Sequence, residues 1–222
     1  CIQVFETLLP ASVKVVVAEP WMWSTPVHAE EEATISRAVE KRRREFRAGR
    51  HAAHAALRHF DIADYRLLPG IGRAPTWPTD MVGAVTHTGE FCAVALAPKS
   101  QCLGLGIDAE QNDPLKDDLK PMICTSTEQE WVAAREADGY SWISKLVFSA
   151  KESIHKVYYP LNQYTLDFLD AELIIDIHQK CFQARIIKPY AKAPTPIFEL
   201  EGKFAVDDKH VYSAIYLPQG TR

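Results

Sequence analysis

The chain has 222 residues, with 29 acidic and 25 basic side chains and a net charge of −4. That length can bury a substantial core, as one large domain or two smaller lobes, and the charge balance argues against a nucleic-acid-binding surface. No apolar run approaches the ~20 residues needed to cross a bilayer, so no membrane partner is expected.

In chain order, Val13–Ala18 is apolar but strand-length, is interrupted by Lys14 and lacks the flanks of a signal peptide. The chain opens on Cys1 rather than methionine, which leaves a preceding targeting segment open. Cysteines 1, 92, 102, 124 and 181 are scattered and odd in number, without the CxxC spacing of a zinc site. They predict reduced thiols and a cytoplasmic setting.

Residues 20–29 form a Pro-containing loop, and Glu30 to Phe60 carries helical periodicity through Ile35, Val39, Phe46 and Leu57. Gly49 is the expected break, because glycine is unfavourable inside a helix. Within this stretch stand Lys41, Arg42, Arg43, Arg44, Arg47 and Arg50, interrupted by Glu45. Such a run is either a solvated helix face or a phosphate-binding one, since arginine forks match phosphate oxygens. Pro69, Gly70, Gly72, Pro75 and Pro78 mark residues 66–80 as a loop. Arg73 lies within it, either simply exposed or aimed at an anion.

Residues 82–110 read as three strands. Val82–His87 and Phe91–Leu96 are joined by Thr88-Gly89-Glu90, a hairpin signal, and Leu103–Glu110 follows. Alternation places Leu103, Leu105, Ile107 and Ala109 on one face of the third strand, and Gly104, Gly106, Asp108 and Glu110 on the other. The second face is bare and then acidic, which predicts room for a ligand beside two carboxylates. Thr86-His87 precedes a glycine turn, where a histidine is either structural or part of an anion site.

Asn112-Asp113-Pro114 is a turn, and it suggests an N-terminal lobe of residues 1–112 and a C-terminal lobe of 113–222. Helices are expected at Ser126–Ala137 and Trp142–Tyr159, the second ending at Pro160. Strands are expected at 171–177, 181–187, 197–206 and 210–217. The predicted fold class is α+β, with two lobes that each pack helices on one face of a mostly antiparallel sheet.

Asp108 and Glu110 can reach a common point, and Glu152 on the second helix is the natural third oxygen donor for magnesium, or else a general base. The competing reading is a strand end facing solvent and an ordinary i,i+4 surface pair of Glu152 with Lys156. Lys151 and His155 share that polar side. No Walker loop, dinucleotide fingerprint or nucleophile elbow is present.

Five segments, in order, carry a resemblance to a known family: Lys-Arg-Arg-Arg-Glu-Phe-Arg-Ala-Gly-Arg (41–50), Gly-Arg-Ala-Pro-Thr-Trp-Pro (72–78), Val-Gly-Ala-Val-Thr-His (82–87), Gly-Ile-Asp-Ala-Glu (106–110) and Phe-Ser-Ala-Lys-Glu-Ser-Ile-His-Lys-Val-Tyr-Tyr-Pro-Leu (148–161). Together they resemble the 4′-phosphopantetheinyl transferases of the Sfp-like group, closest to the enterobactin-synthetase-component-D type. The resemblance implies a pseudo-twofold monomer of two lobes with coenzyme A in the cleft between them. It also implies transfer of phosphopantetheine to a serine of an apo acyl or peptidyl carrier protein, with release of adenosine 3′,5′-bisphosphate.

By the same resemblance, Asp108, Glu110 and Glu152 would bind Mg2+, with Mn2+ as a substitute. Arg42 and Arg50 would meet the 3′-phosphate end of coenzyme A. Arg73 would assist at the nucleotide, and Thr86 and His87 would lie beside a phosphate. Lys151 and Lys156 would neutralise the pyrophosphate. Asp108, Glu152 and Lys156 would be the catalytic group, and the metal site would straddle the two lobes. The rival readings are an inactive coenzyme A-binding module and a magnesium-dependent phosphatase or nuclease, which would use the same carboxylates.

Overall fold

The computed structural model describes residues 3–220, so Cys1 lies outside the described residues. The elements run α1 (Val4–Leu8), β1 (Lys14–Val17), α2 (Ala29–Ala33), α3 (Glu40–His59), β2 (Met81–Thr88), β3 (Phe91–Pro98), β4 (Cys102–Gln111), α4 (Lys120–Ile123), α5 (Ser126–Ala137), α6 (Ile143–Asn162), β5 (Ala171–Asp176), β6 (Cys181–Ile186), β7 (Glu199–Val206) and β8 (His210–Pro218). The α+β class is as expected. Two antiparallel sheets form, one ordered β1-β3-β2 and the other β4-β8-β7-β6-β5.

Sheet membership changes between β3 and β4. The strand that carries Asp108 and Glu110 pairs with β8, Asp108 opposite Ser213. It therefore belongs to the C-terminal sheet and not to the N-terminal unit that a break at Asn112 would give it. Because α6 packs on β4 and β8, Glu152 lies in the same unit as Asp108 and Glu110. The carboxylates do not come from opposite lobes.

Period-two alternation builds three stacked cores. Val94 and Leu96 of β3 pack under α3 with Ala52, Ala53, Ala56 and Leu57. The other face of β3, Ala93, Ala95 and Ala97, meets Leu105, Ile107 and Ala109 of β4 together with Phe5 of α1. These small residues let the two units sit close together. On its opposite face the C-terminal sheet receives α6 through Leu146, Ala150, Ile154, Val157, Phe182, Phe204 and Ile215.

The helix expected at 30–60 is interrupted earlier than Gly49. It breaks at residues 34–39, where Val39 is extended at the start of α3. Gly49 stays helical because α3 lies close on the sheet there, and an added Cβ would sit 3.4 Å from Val85. Likewise α6 runs past Pro160 to Asn162 and stops at Gln163, which is left-handed at φ 51°. The Tyr158 hydroxyl accepts from Tyr190 N, and Asn162 Oδ1 accepts from Thr195 N, so the 187–198 loop holds this last turn.

Candidate active site

Close approach of α6 to β4 builds the site. A Cβ on Gly106 would lie 2.3 Å from the carbonyl oxygen of Ser153, and one on Gly104 2.8 Å from Val157 Cγ1. At Gly106 the bare strand face is therefore filled by the helix, which corrects the expectation of ligand space there, while Gly104 still lines a cleft. Three buried serines secure the contact. Ser213 Oγ lies 2.8 Å from Ser149 Oγ and 2.7 Å from Ser153 Oγ, and it donates to Ser149 O at 2.9 Å.

This packing sets Lys156 against the acidic strand. Its Nζ donates to Ile107 O at 2.8 Å and to Asp108 Oδ1 at 3.2 Å. Asp108 is 5% exposed, and its Oδ2 is buried with no hydrogen-bond partner. Burial pushes the Asp108 carboxyl up to about 6 against the pull of Lys156, with Glu152 adding to the rise. Glu110 is pushed up to about 8 by burial and by the Asp108 charge. Burial also raises Glu152, with Lys156 opposing. Glu152 thus disfavours ionisation of Asp108, and both disfavour that of Glu110; a bound divalent cation would reverse that. The orphaned Asp108 oxygen and the all-oxygen donors are of the kind magnesium takes, while the donor atoms of Asp108, Glu110 and Glu152 do not all lie within 4.8 Å of one another, so a shared ion would draw them together.

A cationic wall comes from α3, with His87 of β2 between it and Lys156. Arg50 is 6% exposed with its guanidinium over the Phe46 ring at 4.3 Å. Its Nε is buried and unpartnered. Burial pushes it down to about 10, and Arg42 adds to the fall. Arg42 is exposed and leans on the same ring at 5.9 Å. Arg43, Arg44 and Arg47 are committed elsewhere, to Ser36 O, Glu90 and Glu32. The six-residue basic run thus divides into structural arginines and a free group of Lys41, Arg42 and Arg50. His87 Nδ1 stands 3.5 Å from Glu45 Oε2. Burial lowers the His87 pKa, Glu45 opposes, and Arg42, Lys156 and Lys41 add to the lowering.

Three other expected site residues are placed differently. Lys151 is 4% exposed, and its Nζ donates to Ile123 O and Glu128 Oε1 at 2.6 Å each and to Phe168 O at 2.9 Å. An ammonium has three donors, so none remains for a pyrophosphate. The Thr86 hydroxyl is buried and accepts from Ala109 N at 2.9 Å, which ties β2 to β4 across the two sheets. Arg73 is exposed on its loop at φ 65° and is not part of the cleft wall.

A cleft of about 840 Å³ runs from Lys156 along β2, β4 and the 70–77 loop. It does not include the three carboxylates, but Lys156 lines it and also bonds Asp108. Gly83 lets the Trp77 ring lie directly on β2 in this wall, since a Cβ there would strike the ring.

Residues 30–97 match the 4′-phosphopantetheinyl transferase N-terminal domain, and residues 104–207 match the 4′-phosphopantetheinyl transferase superfamily. The chain is 40% identical over 198 residues to the 4′-phosphopantetheinyl transferase Svp of Streptomyces mobaraensis, covering 86% of this chain and 80% of Svp. It is 30% identical over 219 residues to the transferase Npt of Nocardia iowensis, covering 95% and 98%. Enterobactin synthase component D of Escherichia coli O157:H7 is 36% identical over 148 residues, covering 64% of this chain and 66% of that protein. The chain belongs to the 4′-phosphopantetheinyl transferase superfamily.

As a phosphopantetheinyl transferase it is an enzyme that moves phosphopantetheine from coenzyme A to carrier proteins. The two matched regions meet between β3 and β4, where the sheets also divide. Sequence reasoning overlooked Ser149, Ser153 and Ser213, Phe46 beneath the arginines, and Glu45 as the neighbour of His87. A signal was available for Ser149 and Ser153: two small residues one helical turn apart on α6, which meet β4 at Asp108 O and Gly106.

Proposed function

We propose that this transferase holds Mg2+ (Mn2+ substituting) with Asp108, Glu110 and Glu152, joins phosphopantetheine to a serine hydroxyl of an apo acyl or peptidyl carrier protein, and releases adenosine 3′,5′-bisphosphate. The observation that carries this reading is the buried, unpartnered Asp108 oxygen beside Lys156, with the unpartnered Arg50 Nε on the cationic wall. When bound, the metal supplies positive charge at the coenzyme A pyrophosphate.

The chain's own residues do the rest. Lys156 neutralises charge that builds on the phosphate oxygens during transfer. Arg42 and Arg50 receive the 3′-phosphate, which gives the desolvated Arg50 guanidinium the partner that burial demands. His87 donates to a coenzyme A phosphate, with Glu45 orienting its ring. Thr86 and Lys151 act structurally, Thr86 by joining the sheets and Lys151 by anchoring α6. Glu152 is held as a ligand, which lowers its basicity, so the serine proton passes to water or to Glu152 only at the moment of attack.

Buried free thiols at Cys92, Cys102 and Cys124 support a reducing, cytoplasmic setting. No described helix is long and apolar enough to cross a membrane. Exposed Leu119 and Met122, at 36% and 65%, support the 112–140 surface as the place where a carrier docks.

Incubation with coenzyme A, magnesium and apo carrier proteins of peptide-, polyketide- and fatty-acid-synthase type, read by intact mass of the carrier, tests this. A phosphopantetheine adduct on serine is expected. Absence of the adduct on every carrier, with coenzyme A still bound, would leave an inactive binding module instead.

A further inference from the structure

Glu31 is fully buried, at 0% exposed. It lies away from the acidic strand, on α2, and meets α3 at His54. A carboxylate withdrawn from water must be paired, and this one is held from several sides. His28 N donates to Oε1 at 3.2 Å, Leu67 N donates to Oε2 at 3.0 Å, and His54 Nε2 lies 3.0 and 2.8 Å from the two oxygens. Over this pair stands a second imidazole: the His28 ring centroid is 4.8 Å from that of His54, at 86°. Donor atoms from His28, Glu31 and His54 all lie within 4.8 Å of one another, the only such trio of His, Cys, Asp or Glu among the described residues.

The chemistry of the donors is specific. Two imidazoles and one carboxylate form the ligand set of Zn2+ and related borderline cations, whereas magnesium takes oxygen. With ligand bonds of about 2.0–2.1 Å, neighbouring donors of a tetrahedral zinc lie roughly 3.3–3.4 Å apart. His54 Nε2 and the Glu31 oxygens, now hydrogen-bonded at 3.0 and 2.8 Å, would part by roughly half an ångström to admit the ion in place of the proton. His28 is partly exposed and can close the remainder by turning its side chain. The backbone N–H groups on Glu31 do for this carboxylate what outer partners do for metal-bound ones, fixing its direction. Charge nearby is mixed. Glu30 and Asp64 lie close enough to feel His28, while Arg66 pairs with both and Arg50 feels Glu31. The local carboxylates therefore offset the two arginines before Glu31 is counted against one of them.

We propose that His28, Glu31 and His54 form a second metal site, taking Zn2+ or a similar borderline divalent cation with water as fourth ligand, separate from the acidic cluster. The site clamps the segment around α2 to α3 one helical turn beyond Arg50. A bound ion would stiffen the base on which the cationic wall stands.

The test uses tag-free protein, stripped by a chelator and kept in saturating magnesium so that the acidic cluster is occupied. Co2+ is titrated by visible absorption, and Zn2+ is followed by thermal melting. One equivalent of Co2+ should saturate with a ligand-field band, and Zn2+ should raise the melting temperature. His28→Ala removes only the partly exposed imidazole. It should weaken Co2+ binding at least about tenfold and abolish the zinc shift, while Asp108→Ala should bind as the parent does. His28→Asn serves the same purpose if the alanine variant does not fold. No saturable single equivalent, binding indifferent to both His28 variants, or binding lost with Asp108→Ala would each overturn the proposal.

Discussion

Helix α6 carries two lysine–carboxylate pairs, little more than one turn apart, and they are built in opposite ways. Lys151 and Glu128 form a closed pair. The lysine spends its three donors on Ile123 O, Glu128 and Phe168 O, and Glu128 accepts in addition from Thr125 N and Leu173 N at 2.8 Å each. Lys156 and Asp108 form an open pair, with a longer contact, a quarter-exposed lysine and a buried carboxylate oxygen without a partner. A closed pair holds structure together. An open one keeps unsatisfied charge in place for a ligand, at a cost in stability that the surrounding packing must offset.

The largest expected effect lies on the closed pair. Lys151→Ala leaves Glu128 buried without its counter-charge, and breaking such a pair costs about 3–5 kcal/mol. Denaturant melts should show that loss, while transfer by the fraction that remains folded stays near the parent level. A variant of parental stability with a selective loss of transfer would mean that Lys151 reaches the substrate, and the contrast would collapse.

The open pair should respond the other way. Asp108→Ala removes a carboxyl that the fold holds at a disadvantage, so the melting temperature should hold or rise. Transfer at saturating magnesium should fall at least ~10²-fold, the scale of a lost electrostatic group. Near-normal turnover would remove the acidic cluster from the chemistry.

Element order was largely legible in the sequence, because periodicity marks strands and helices wherever one face is buried. The ends of α5 fall where expected, and β5 to β8 lie within two residues of the expected spans. Two kinds of information were not local. Lys151 and Lys156 carry the same charge on one helix, and only the tertiary partners of α6 decide which one is buried. Gly104 and Gly106 announce a bare face, but whether a ligand or a helix fills it depends on where α6 docks. The same applies to β4, whose hydrophobic alternation fits either sheet and whose partner, β8, is about a hundred residues away. The short helices α1, α2 and α4 are too brief to show a period.

Gly106→Ala separates these ideas at intermediate size. The new Cβ meets backbone, at 2.3 Å from Ser153 O, so α6 must move off β4. Overpacking of this kind costs typically about 1–3 kcal/mol. Because the shift carries Glu152 and Lys156 away from Asp108, transfer should fall more than stability alone explains. A fall in stability with transfer intact in the folded fraction would show that the open pair tolerates the displacement.

The smallest effect belongs to His87, on the cationic wall. Its folded pKa lies below 6.5, chiefly from burial, with Glu45 opposing and Arg42, Lys156 and Lys41 contributing to the fall. Above 6.5 the imidazole is neutral in both states and contributes nothing to pH dependence. Below 6.5 the unfolded chain gains a proton that the folded one resists, so stability declines as pH falls. Coenzyme A reverses the preference, because a phosphate beside the ring favours imidazolium. Binding should then take up a proton and tighten as pH falls from 6.5 toward the folded value, by at most about tenfold for each pKa unit recovered. Calorimetry without added metal should show this slope in the parent and a shallower one in His87→Gln, with Asp108 and Glu110 supplying the residue. Equal slopes in the two proteins would take His87 out of phosphate binding and leave the wall to Arg42 and Arg50.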